Sequence, residues 1–161
     1  MRPLVSAIAA AAVVVCLTAR PAVAQSRTVS VTIPIGLTFI VTNVAASSSG
    51  SPSPMRITFG SVTGFRNSER FNVAVRADAA TFAGPGTTRI PASKVSWTAE
   101  TSSGKATNGT LSSTAYSQVY ASSNNPSSGS IDLTWTLGPI TAAGLRAGTH
   151  TLTVRWRVEA L

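Results

Sequence analysis

The chain has 161 residues, a formal net charge of +8 and a single cysteine, Cys16. That length bounds it to one domain with one sizeable core, and a lone cysteine excludes an internal disulfide. One histidine and five scattered acidic residues exclude a tetrahedral zinc site of His and Cys ligands and give no clustered oxygens for calcium.

Residues 1–24 read as a secretory signal. Arg2 supplies the positive start, Leu4 to Leu17 is an apolar run rich in alanine and valine, and Ala22-Val23-Ala24 fits the small-residue cleavage pattern. Cleavage near Ala24 leaves Gln25 first. The run is 14 residues long, short of the ~20 needed to span a bilayer, so no retained transmembrane segment is expected. Val15 precedes Cys16 where a lipoprotein site wants a small residue, which argues against a lipid anchor. The remaining 137 residues, 25–161, are expected to form one domain in the periplasm, at the cell surface or outside the cell. Without Arg2 and Arg20 they carry eleven basic and five acidic residues, a net charge of +6. These charges are scattered, with no Lys or Arg run and no basic helix, so nucleic acid is not an expected partner.

Two-residue alternation then recurs along the chain. In Thr28–Ile33, Val29, Val31 and Ile33 share one face, and after Pro34 and Gly36 a second strand is expected over Leu37–Val44. Arg56–Gly60 sets Ile57 with Phe59, Arg70–Arg76 sets Phe71 with Val73 and Val75, and Lys94–Glu100 sets Val95 with Trp97. The strongest pair closes the chain. Ile131, Leu133, Trp135 and Leu137 alternate with polar residues in Ser130–Leu137, as do Leu152, Val154, Trp156 and Val158 in Thr151–Glu159. Segments 45–54, 83–86, 101–114 and 121–130, rich in Gly, Pro, Asn and Ser, are expected to be loops. A helical turn is expected within Ile140–Gly148. One oily and one wet side per strand implies two packed sheets: an all-β, immunoglobulin-like antiparallel β-sandwich of about seven to nine strands.

Chemistry-bearing motifs are sparse. His150 lies just before the last strand, reads as an exposed strand-start residue, and has no Gly-x-Ser-x-Gly elbow to serve. Ala83-Gly84-Pro85-Gly86 lacks the lysine of a phosphate loop and reads as a turn. Asn108-Gly109-Thr110 matches both a glycosylation acceptor and a hairpin turn, and the hairpin is the better fit. Trp135 and Trp156 belong to the expected core. Trp97, Tyr116 and Tyr120 have weaker patterns around them and are candidate ligand contacts. Arg155 and Arg157, with Arg76 and Arg70, are expected on a polar sheet face, where arginine can grip carboxylate or sulfate with paired hydrogen bonds or simply keep an exposed sheet from aggregating.

Two stretches carry a resemblance. Ile57-Thr58-Phe59-Gly60 followed by Phe71-Asn72-Val73-Ala74-Val75 resembles the opening of small secreted pilin-like domains. Leu145-Arg146-Ala147-Gly148-Thr149-His150-Thr151-Leu152-Thr153-Val154 resembles their closing strand, as found in the spore coat protein U family and in fimbrial subunits. The resemblance implies an immunoglobulin-like sandwich at the cell surface, often within a multi-subunit fibre or coat.

The expected function is therefore structural or adhesive, not enzymatic, and without a cofactor. The expected mechanism is β-strand addition between copies, giving a homo-oligomer or fibre. Val29, Val31 and Ile33 are the candidate donor-strand residues, unless Arg27–Ile33 is simply the domain's own first strand. The alternative is a module binding carbohydrate or an anionic envelope polysaccharide through Trp97, Tyr116, Tyr120, Arg155 and Arg157.

Overall fold

The computed structural model describes residues 27–34, 37–140, 145–146 and 148–161. The signal assigned to residues 1–24 lies outside the described residues, as does most of the helical turn expected within Ile140–Gly148. In chain order the strands are β1 (Thr28–Thr32), β2 (Thr38–Val41), β3 (Ser48–Ser51), β4 (Met55–Thr63), β5 (Phe71–Ala77), β6 (Val95–Thr101), β7 (Lys105–Ala106), β8 (Gly109–Thr110), β9 (Ser117–Ala121), β10 (Gly129–Leu137), β11 (Gly148–His150) and β12 (Val154–Ala160). They form two antiparallel sheets, of eight and four strands, packed as an all-β sandwich.

The larger sheet is built around β10. One side of β10 pairs with β6 through the whole run Ile131–Leu137. Its other side is shared by β4, opposite Gly129–Leu133, and by β3, opposite Thr136–Leu137. β3 and β4 therefore act as one strand interrupted at Ser51–Pro54. β1 and β2 repeat that break one place further out, β1 on β4 and β2 on β3, with β11 beyond β2. A proline has no N–H to give a ladder, which is why each break falls at one, Pro34 or Pro52 and Pro54. The smaller sheet runs β12-β5-β9-β7.

Alternation fixes which side is oily. Ile131, Leu133, Trp135 and Leu137 on β10 and Ile57 and Phe59 on β4 are all buried. Val73 and Val75 on β5 are buried against them from the other sheet. Each fully buried side chain of this size contributes about 1.5–3 kcal/mol relative to exposure. Phe59 meets Phe71 edge-on at 5.2 Å between centroids, and Trp135 lies 5.3 Å from Trp97, its direct cross-strand partner.

Twelve short strands stand among the described residues where about seven to nine were expected. The surplus comes from β3, β7 and β8, pieces of two to four residues inside the presumed loops, and from β9 and β11, where no strand was expected. β3 is all Ser and Gly and buries only Gly50, so backbone pairing alone makes it a strand. Asn108-Gly109 is not a hairpin tip: the chain crosses there from β7 in one sheet to β8 in the other. The Asn108 side chain accepts the Ala99 N–H at 2.8 Å. Gly109 is required by close approach, since a Cβ would sit 2.5 Å from the Trp97 ring. The closing strand is also split. β11 ends on the larger sheet and β12 begins on the smaller one, with Thr151 held across the gap by paired hydrogen bonds to Ala83 of 2.8 and 2.9 Å.

Candidate functional site

That sheet switch leaves one side of the sandwich open. Among the described residues β12 pairs only with β5, and β1 only with β4. Arg70 and Leu161 exchange both backbone hydrogen bonds, at 3.1 and 2.7 Å. Because antiparallel pairs alternate between bonded and unbonded, the register then directs the N–H and C=O groups of Val154, Trp156, Val158 and Ala160 away from β5. Those same residues carry the inward side chains. Trp156 meets Trp135 edge-on at 6.4 Å, yet Trp156 and Val154 are only half-buried and Val158 is 36% exposed. An unpaired backbone row thus coincides with an uncovered apolar row.

An apolar cleft of about 560 Å³ opens at the start of this edge. Ile33 and Leu37 wall it on the side of β1 and β2, Val154 and Trp156 on the side of β12, and Phe39 and Trp135 also line it. The Trp135 Nε1 is buried without an acceptor. His150 lines the cleft too, and it is 4% exposed instead of standing free in solvent. β11 pairs it with Phe39, its ring packs against Gly84, and its Nε2 donates to the Arg146 carbonyl at 2.9 Å.

The outer face of the smaller sheet is a second feature. Arg155 stands opposite Arg76 and Arg157 opposite Ala74, so the arginines of β12 and β5 share one surface. Tyr116, just before β9, puts its ring under both Arg157 and Arg76, whose guanidinium carbons lie 4.4 and 5.2 Å from the ring centroid. Asp78 accepts two bonds from Arg155, at 2.5 and 3.1 Å, and those bonds hold its carboxyl below the usual aspartate range. Glu159 lies 3.2 Å from Arg157 Nε. The Arg76 Nε is buried with no acceptor.

The sequence-derived candidates fall into three groups. Trp97 and Tyr120, each 2% exposed, are core side chains and not ligand contacts. Trp97 donates its Nε1 to the Thr107 carbonyl at 2.9 Å; Tyr120 stacks on Phe59 at 4.8 Å, and burial pushes its phenol up. Tyr116, Arg155 and Arg157 do come together, with Arg76 as the member sequence reasoning ranked too low. Val29, Val31 and Ile33 are half-buried, and Thr28–Thr32 is paired in the chain's own sheet. Elsewhere Arg27 pairs with Glu69 and Arg56 with Asp132, and these contacts lower both carboxyls. The backbone N–H of Arg66 is the larger influence on Glu69.

Among the described residues no three of His, Cys, Asp and Glu gather to hold a metal ion, and no helix is long and apolar enough to cross a membrane. The fold and these two surfaces define a class, a two-sheet β-sandwich with an unsealed edge at β12 and a basic outer face. Comparison with family models, curated proteins and solved structures returned no match for the chain.

Proposed function

We propose that this chain is an exported structural or adhesive subunit whose copies join by β-strand addition at the open edge of β12. The observation that carries this reading is the coincidence on β12 of outward main-chain groups and half-covered Val154, Trp156 and Val158 beside the apolar cleft. An added strand satisfies both at once: its backbone completes the ladder while its alternate side chains fill the cleft.

The donor is a neighbouring copy, and its Arg27–Ile33 is the candidate segment. Val29, Val31 and Ile33 alternate at the spacing a groove accepts. β1 is itself an edge strand held by β4 alone, so donating it to a neighbour's β12 gives up a single antiparallel pairing and forms another. The signal-like residues 1–24 and the resemblance to pilin-like and coat subunits support export and assembly.

Val158→Pro tests the edge. Residue 158 offers its N–H to the open side and not to β5, so proline removes a docking group and leaves the domain's own ladder intact. Size-exclusion chromatography and negative-stain microscopy should show assemblies of the unmodified chain and monomers of the variant at equal melting temperature. A variant that assembles as well as the unmodified chain overturns the proposal.

A further inference from the structure

The outer face of the smaller sheet is not explained by strand addition, which uses the edge and the inner face of β12. Three guanidiniums, on Arg76, Arg155 and Arg157, meet there with two carboxylates, Asp78 and Glu159. Arg155 gives its Nε and one Nη2 hydrogen to Asp78. Arg157 Nε lies 3.2 Å from Glu159, and the Arg157 side chain keeps 46% of its surface in solvent. Arg76 has no carboxylate bonded to it, and its buried Nε finds no acceptor. Its guanidinium rests instead over the Tyr116 ring, 5.2 Å from the centroid.

Tyr116 explains why the two under-used guanidiniums stay together. A ring face attracts each cation, so it holds both near each other although they repel. The result is two guanidiniums presenting N–H donors beside an aromatic ring. That is the donor set for a carboxylate or sulfate carried on a sugar: arginine takes the anion with parallel hydrogen bonds, and the ring holds the two guanidiniums in place for it.

We propose that Arg76, Tyr116 and Arg157 form a binding site for acidic polysaccharide. The site is independent of the β12 edge, so a subunit engaged with its neighbours still displays it. Repetition along a fibre would multiply a weak single-site affinity.

The test is isothermal titration of the exported chain with polygalacturonate, dextran sulfate and uncharged dextran at low and moderate salt. Binding to at least one acidic polymer, weakened by salt, and none to dextran is expected. Arg157→Gln, at a largely exposed side chain, should weaken binding about tenfold, and Arg76→Gln by a similar factor. Tyr116→Phe keeps the ring and should bind as the unmodified chain does, whereas Tyr116→Ala should lose binding. Lys94→Gln, an exposed cation outside this cluster, removes the same charge and should change affinity by no more than about twofold. Melting temperatures of all variants separate loss of the site from loss of the fold. The proposal is overturned if no acidic polymer binds, if Lys94→Gln costs as much as Arg157→Gln, or if phosphatidylglycerol vesicles bind and the polysaccharides do not.

Discussion

Phe71 shows how much single side chains contribute here. It is fully buried and touches Phe59, Tyr120 and Phe65 at centroid distances of 5.2, 5.7 and 6.1 Å, so it joins the two sheets through an aromatic cluster. Phe71→Ala should cost about 3–5 kcal/mol in denaturant unfolding. Gly104 is constrained differently: its φ is +76° and a Cβ would lie 2.5 Å from the Ala121 carbonyl oxygen. Gly104→Ala should destabilise by about 1–3 kcal/mol, read as an earlier melting transition. The carboxyls set the acid response. Asp78, Asp132 and Glu69 all have folded values below their ordinary ones of 3.8, 3.8 and 4.5. A depressed carboxyl stabilises above its unfolded value and loses that effect as pH falls toward the folded one. Melting temperature should thus be level in these groups' contribution above about pH 5 and decline below pH 4, with a smaller decline in Asp78→Asn. These three groups are solvent-facing, so salt should shrink the effect.

At the scale of elements, the strands that bury one clean face were legible in the sequence. β4, β5, β6, β10 and β12 fall where alternation of Ile57/Phe59, Phe71/Val73/Val75, Val95/Trp97, Ile131–Leu137 and Val154–Val158 puts them. β9 was not legible, for a physical reason. A register shift in its pairing with β5 turns both Val119 and Tyr120 inward, so SQVYA shows no period of two. The Ser- and Gly-rich β3 carries no side-chain signal at all. Tyr116 could be named but not placed, because its partners Arg76 and Arg157 lie on two other strands and meet it only through the register of β12 on β5. β1 gives an element-scale prediction. It is paired with β4, and Val29 and Val31 pack on the core, so deleting residues 25–34 should lower the melting temperature as well as abolish assembly. A truncated chain that keeps its full melting temperature would show that β1 adds nothing to its own domain.

For the whole molecule, the arrangement follows from one topological event. The closing segment starts as β11 on the larger sheet and finishes as β12 on the smaller one. Had it stayed on the larger sheet, the smaller would have lacked its fourth strand. By switching, it completes both sheets for part of their length and seals neither edge fully. Natural sandwiches blunt such edges with charge, bulges or short strands. Here Arg155, Arg157 and Glu159 place charge on the outer face, while the edge itself keeps its donors, its acceptors and its apolar row. Residue-resolved amide hydrogen exchange on β12, in dilute monomer and in the assembled protein, tests that account most directly. The Trp156, Val158 and Ala160 amides should exchange fast in the monomer and become strongly protected on assembly, while Arg155, Arg157 and Glu159, already bonded to β5, change little. Equal exchange of Trp156, Val158 and Ala160 in the two states, or a chain that never leaves the monomer, would contradict it.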